Sequence, residues 1–368
     1  MKLSKLTLKQ FRNLEPLTLE PHENLNLIVG LNASGKTNLC EALFYASRGQ
    51  LLKGERQREI INWDCHWSTL DLIVGAEHIR IVMDNHEQTK TLELSGELSK
   101  QQDVFDVFKV LIFTPDDLQI VKGSPSKRRR LLDLSIADLD MAYRKALLAY
   151  DQVLKRKNIL LKRDRPDPEL LDVYQQQLVE HGTHLVRQRL LYLNELNKSL
   201  SMFHQELNQA KKPLFLNYES DVPYDGGNVS QQLDDALKLA HKKEIDRRTS
   251  LIGPHRDDVL FDIEGMDVRK YGSQGQQKTA LIALKLAQLE LFKERLGDYP
   301  VLILDDVLSE LDPERTQMLL DHLPQDLQLF LTETDLSEPL IQRAGKVFRI
   351  SQGQVEELSK EERCPSQN

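Results

Sequence analysis

The run Gly30-Leu-Asn-Ala-Ser-Gly35-Lys36-Thr37 brings together the residue types that a polyphosphate requires, at the spacing that suits one. Its glycines let backbone N–H groups curl around phosphate oxygens, Lys36 supplies charge to the terminal phosphates, and the Thr37 hydroxyl suits Mg2+. Gly30, Asn32, Ser34, Gly35, Lys36, Thr37 and Asn38 form the candidate contact set. The apolar run Leu25 to Val29 before the loop and the helical pattern Asn38 to Ser47 after it supply strand, loop and helix in the order such a site needs. The helix N-terminus adds its positive end.

A site of this kind needs an acidic partner on a second strand. Pro300 to Asp312, PVLILDDVLSELD, is a buried-strand pattern ending in two carboxylates, and in an α/β sheet such residues stand at the carboxyl end where ligands bind. Asp305 is placed to hold magnesium, and Asp306 to orient or deprotonate an attacking water. Catalysis would then rest on Lys36, Asp305 and Asp306, with ATP and Mg2+ as the cofactors implied and Thr37 and Asp305 as the metal ligands.

The elements that must position these groups frame a long helical insertion. From Ser126 to Leu207 apolar residues recur at helical spacing, broken by DRPDP at Asp164 to Pro168. This pattern predicts two long antiparallel helices, too irregular in heptad for an extended coiled coil. The expected organisation is a discontinuous head, residues 1–122 and 241–368, around an arm of residues 123–240. Another helix opens at Ser273-Gln-Gly275-Gln276-Gln-Lys278, with a capping serine and a glycine permitting close approach. It is a second anion-seeking helix start in a chain that already has one for its own nucleotide. The economical reconciliation is that it faces the nucleotide of another copy, which makes the chain an ATP-dependent homodimer.

The formal net charge of -8 argues against coating nucleic acid by bulk charge. Between Lys122 and Arg165, however, thirteen basic residues face five acidic ones, a local +8. A solvated helical face is one reading; a phosphate-contacting surface centred on Lys127, Arg128, Arg129 and Arg130 is the other. Three cysteines, Cys40, Cys65 and Cys364, make neither a disulfide framework nor a metal pair, so a reducing cytoplasm is the natural compartment. No apolar run approaches the roughly 18 residues of a membrane span, and no membrane association is expected.

Taken in order, GLNASGKTN, FTPDDLQIVKGSPSKRRRLLD, LIGPHRDDVLF, YGSQGQQKTALIALKLAQLE and PVLILDDVLSELD resemble the RecF family of bacterial DNA replication and repair proteins. The first and last would be shared by any ABC-type ATPase; the KGSPxxRR and GPHRDD elements are more specific. The resemblance implies an α/β fold, an ABC-type P-loop head like those of SMC proteins, carrying a short inserted α-helical arm. It implies a slow DNA-dependent ATPase that dimerises on ATP, with Ser273, Gly275 and Gln276 gripping the partner's γ-phosphate. It also implies non-sequence-specific action on duplex DNA and single-strand-gap junctions with RecR and RecO type partners, and indirectly with RecA. Arg12 and Asn13 resemble a segment near the nucleotide in related heads; an exposed turn is the plainer alternative. The loop His255 to Asp258 reads best as a salt-bridged fastening.

Several positions depart from the family pattern. Ala33 replaces a common glycine, which a methyl group tolerates if φ is negative. Leu131 replaces an aromatic, and Lys278 an arginine. LTETDL at Leu331 to Leu336 leaves Thr332 or Thr334 where related heads sense the γ-phosphate, so hydrolysis should be slow. Two functions remain open on these residues: an ATP-gated DNA clamp, or an ATP-switched adaptor for partner proteins whose DNA contact is incidental. A transporter ATPase would have no use for the basic insertion.

Overall fold

The computed structural model describes residues 2–52, 57–208, 212–224 and 227–363; Cys364 lies outside them. The chain forms two compact units, Met1–Asp117 with Phe292–Asn368, and Leu118–Leu291.

The first unit is built on two sheets. In one, the strands run Gln354–Glu357, Lys346–Ser351, Leu25–Val29, Leu329–Glu333, Val301–Leu304 and Val110–Phe113. All neighbours pair in parallel except the first two. Leu25–Val29 and Val301–Leu304 are buried at every residue, which is why both read as unbroken apolar runs. The other sheet is antiparallel throughout, in the order Leu17–Leu19, Leu3–Lys9, Trp67–Val74, Glu77–Asp84, Thr89–Leu94, Glu97–Leu98. Helix Lys36–Arg48 is buried along almost its whole length, and its Leu39, Ala42, Leu43 and Ala46 share one core with Leu6, Leu70 and Ile81 of the antiparallel sheet and Ile28, Ile303 and Phe330 of the parallel one. A helix enclosed in this way holds its first turn, and the loop before it, rigidly.

In the second unit the short helix Gln119–Lys122 leads into helices Pro125–Ala137, Met141–Leu161 and Pro168–Asn208. The predicted break falls between the last two. Along the 41-residue helix one row of buried positions, 171, 175, 178, 182, 185, 189, 192, 196, 200, 203 and 207, keeps a spacing of three and four, and Thr183, Val186, Leu193 and His204 are buried beside it. The seam is therefore regular, and it is Gln175, Gly182 and Arg189 that make it look irregular in sequence. Leu214–Glu219 pairs antiparallel with Asp258–Ile263, which pairs with Met266–Asp267. This small sheet ties the chain beyond residue 240 to the helices, so the helical unit is wider than the 123–240 arm read from sequence and takes in helix Gln274–Leu296 as far as Leu291. Among the described residues no helix is long and apolar enough to cross a membrane.

Candidate nucleotide-binding site

Three neighbouring parallel strands end together. Leu25–Val29 leads into the glycine loop, Leu329–Glu333 carries Thr332 and Glu333, and Val301–Leu304 delivers Asp305 and Asp306. The loop is shaped by close approach: a Cβ on Gly30 would lie 2.3 Å from the Ile350 carbonyl oxygen, and Gly35 has φ +118°. Ala33 also takes a positive φ, 64°. The condition under which its methyl was expected to be harmless is not met, and the residue carries left-handed strain of about 1–2 kcal/mol.

Gly35 caps the helix without a side chain, and no acid stands in the first turn, so the helix supplies no counter-charge of its own for this positive end. Lys36 is buried, its ammonium donating to the carbonyls of Gly30 at 2.6 Å and Leu31 at 3.2 Å. Ser34 Oγ is buried and has no hydrogen-bond partner among the described residues. Asn32 and Thr37 are exposed, and Asn38 partly so. A closely drawn loop, an uncapped helix start, a buried cation and an orphaned hydroxyl fit an anionic polyphosphate.

Thr37 Oγ1 lies 3.3 Å from Asp305 Oδ1, and Thr332 Oγ1 donates to the same oxygen at 3.0 Å. Asp305 is almost fully enclosed. Burial pushes its carboxyl up, against the two hydroxyl donors, with Asp306 pushing further and Lys36 opposing. Glu333 is likewise raised, by burial first and then by Asp306. Negative charge thus exceeds positive at the strand ends. Among the described residues no cluster of three or more His, Cys, Asp or Glu side chains could hold a metal on its own. The pair Thr37 and Asp305 suits Mg2+ arriving with a nucleotide, because that ion takes few protein ligands and the rest from phosphates and water.

Asp306 adopts φ 54°, with its N–H donating to Thr332 Oγ1 at 2.8 Å. Thr332 therefore touches both aspartates, whereas Thr334 Oγ1 lies 3.4 Å from Asp335. Of the two threonines weighed for the sensing position, only Thr332 joins the site. Arg12, at φ 50°, forms an ion pair of 2.6 Å with Glu41 of the loop's helix, and Asn13 Oδ1 accepts from Asn38 Nδ2 at 2.5 Å. Both lie against this helix. Glu41 and Glu333 escaped sequence reading, since neither stands at a motif position; Glu333 was within reach as the acid between the two threonines.

The second helix start belongs to the helical unit. Ser273 N–H donates to Gln276 Oε1 at 2.8 Å, and Gln276 N–H donates to Ser273 Oγ at 3.2 Å, a reciprocal capping box. Ser273 and Gln276 are exposed and Gly275 partly so. Gln277 Nε2 turns inward, donating to the carbonyls of Val268 and Gly272.

The basic motif is divided. Lys127 and Arg130 are exposed, and Arg129 is half-buried with Nη1 donating to the Asp257 carbonyl at 2.6 Å. Arg128 must be withdrawn from the surface: it is 3% exposed, pairs bidentately with Asp258 at 2.7 and 2.8 Å, and donates to the Gly123 carbonyl. Its guanidinium closes the junction between the motif and the 255–258 loop, where Asp257 also accepts from Ser220 and Tyr218. These contacts make the loop salt-bridged, but all of them lie in the unit Leu118–Leu291, so they fasten the chain there and not, as read from sequence, to the head.

A family model described as the RecF/RecN/SMC N terminal domain matches residues 2–358. The DNA replication and repair protein RecF of Clostridium perfringens is 35% identical over 97% of this chain and all of its own, and that of Desulforamulus reducens 36% over 96% and 98%. A solved structure of the recombination mediator protein RecF with ATP, in the RecFOR pathway, superposes with a TM-score of 0.87 at 32% identity, covering 97% of this chain and 98% of that one. An Smc head bound to the C-winged helix domain of ScpA shares the fold alone, at 14% identity and a TM-score of 0.58 over 98% and 99% of the two chains. The strand-end site thus sits in an α/β head of the ABC type, and the chain belongs to the RecF family of DNA replication and repair proteins.

Proposed function

We propose that this protein is an ATP-operated clamp on DNA. The observation that carries the reading is the meeting of Lys36, Thr37, Asp305, Asp306 and Thr332 at the ends of three adjoining strands. Lys36 and the first-turn N–H groups bind and orient the β- and γ-phosphates. Mg2+, held through Thr37 and Asp305, supplies neutralisation of phosphate charge when bound. Asp306 takes a proton from, or aligns, the attacking water. Thr332 fixes both aspartates through one hydroxyl, and with no histidine at that position hydrolysis is slow, as befits a timer.

ATP joins two copies, with Ser273, Gly275 and Gln276 of each reading the γ-phosphate on the other. The closed pair then grips duplex DNA or a single-strand-gap junction through phosphates, using Lys127, Arg129 and Arg130 without reading bases. Partners of the RecR and RecO type meet this complex and lead to RecA loading.

The test is binding to gapped duplex at one fixed salt concentration by the wild type and Ser273→Arg, each with ATP and with ADP. Tight binding by the wild type with ATP alone supports the clamp. Equal binding in all four cases overturns it and leaves an ATP-switched adaptor for partner proteins.

A further inference from the structure

A cavity of about 330 Å³ opens within the helical unit, between helices Pro125–Ala137, Met141–Leu161 and Pro168–Asn208 and the loop at His255. Its lining includes the cations Arg129, Arg130 and Arg189, the carboxylates Asp133 and Asp151, and the polar groups of Ser126, Tyr150 and His255. Two of these charges cancel inside the wall. Arg189 spans Asp133 at 2.7–3.0 Å through Nε and Nη2, and its Nη1 donates to the Pro254 carbonyl at 2.7 Å. Arg129 ends on a neutral carbonyl, and Arg130 makes no ion pair among the described residues. Against these two cations stands one carboxylate, Asp151, at the exposed lip.

Two further observations describe the same field. The Arg129 guanidinium is held below its ordinary range, by burial first and then by repulsion from Arg189, with Asp258, Asp133 and Asp257 opposing. His255 is pushed down to about 4, by burial and then by Arg256, with Arg129 contributing, so its imidazole is neutral at physiological pH. One ring nitrogen, Nδ1, meets the Tyr150 hydroxyl at 2.7 Å; Nε2 is buried, its interaction with the Ser250 carbonyl falling short of a well-formed hydrogen bond. The Ser250 carbonyl, which opposes the shift, already accepts from Arg256 at 2.9 Å. The helix bearing Ser126, Arg129 and Arg130 starts with no side-chain cap and no acid in its first turn. Arg130 without an ion pair among the described residues, Arg129 seated on a neutral carbonyl and an uncapped helix start suit an anion.

We propose that this cavity is a second phosphate site, separate from the glycine loop, which seats one nucleic-acid phosphate between Arg129 and Arg130. It deepens the DNA-clamp reading and rests on it for the class of ligand. Paired guanidinium forks match a phosphate bidentately. The volume lies at the lower end of small-ligand pockets, roughly 300–1,000 Å³, enough for a phosphate with its sugar and too little for a folded partner's surface. The phosphate is either a backbone diester or the monoester at a strand end; both offer the same oxygens.

Fluorescence polarisation of a dye-labelled DNA trinucleotide separates these sources, using one probe with a terminal phosphate and one without. A non-hydrolysable ATP analogue with Mg2+ is kept saturating, so that the glycine loop is filled. Arg130→Ala, at an exposed position, should weaken binding about tenfold, and Arg129→Lys should also weaken it while keeping the charge. Loss confined to the phosphorylated probe assigns a strand end; equal loss on both assigns the backbone. Unchanged affinity of both variants for both probes, with melting temperatures like the wild type, overturns the site. The clamp reading fails separately: if trinucleotide binding responds to the variants but gapped duplex binds the same with ATP and ADP, the cavity stands and the clamp does not.

Discussion

In the sheet-rich unit the buried charges of the site, Lys36 and Asp305, end on neutral groups: two carbonyls for the ammonium, two hydroxyls for the carboxylate. In the helical unit Arg128 ends on Asp258, Arg189 on Asp133, and Lys157 on Glu244 at 2.7 Å with both side chains 1% exposed. The first set is left short of counter-charge, which costs stability and is tolerated where chemistry requires it. The second is closed on itself and fastens helices to returning chain. Arg12 with Glu41 is the exception in the first unit, and the cavity at Arg129 and Arg130 the exception in the second. Conspicuous residues in a motif are therefore not all of one kind, and the state of the counter-charge sorts them.

The sharpest way to break this comparison is Asp258→Ala. It strands a buried guanidinium and should cost about 3–5 kcal/mol in denaturant unfolding; a loss under about 1 kcal/mol would mean that Arg128 does not depend on its pair. Replacing Arg128 by methionine in the same chain should restore much of the loss. Next, Asp305→Asn should lower ATP turnover about a hundredfold or more, roughly 2.7 kcal/mol, yet raise the melting temperature. Because burial lifts the Asp305 carboxyl, its ionised form opposes folding above the ordinary acid range, and a neutral isostere removes that opposition. A variant that lost both turnover and stability would place Asp305 with the fastening charges instead.

His255 gives a smaller, pH-resolved test. Its proton affinity is lowered from 6.5 to about 4 on folding, so the unfolded chain takes up the proton first as pH falls. The associated stability is complete above pH 6.5 and is lost on descending towards 4, by about 2 kcal/mol after allowance for partial exposure. Asp257, raised by burial, tilts the other way, so the comparison is between the wild type and His255→Asn over the same range. Parallel stability curves would remove His255 from this account. Smallest of all, Ala33→Gly should stabilise by about 1 kcal/mol, read as a shift in the denaturant midpoint with unchanged slope.

The glycine loop and the placing of Asp305 at a strand end were legible because each is local: a buried strand followed at once by the glycines or the carboxylate. The helix break at DRPDP was legible for the same reason. Arg128 was not, because its neighbours Lys127 and Arg130 are exposed and only the register with Asp258, 130 positions on, decides which arginine turns inward. Ala33, with its positive φ, lies between two glycines that approach Ile350 and Leu14 closely, contacts that no nearby residue announces. Most of the antiparallel sheet went unread because its pairings join segments without a motif. The regular seam of Pro168–Asn208 was hidden because a glutamine, a glycine and an arginine occupy core positions along it.

The capping box at Ser273 has a further result. The Ser273 oxygen and the Gln276 side-chain carbonyl are each engaged by the other residue's N–H, so what the pair turns outward is a hydroxyl hydrogen and an amide NH2. This rim of the helix is a one-way surface, rich in donors and poor in acceptors, that discriminates by sign before any shape is matched. An aspartate at 273 would cap the helix as well as serine does and would present the opposite polarity. At this position the fold is indifferent to an exchange that reverses what the surface attracts.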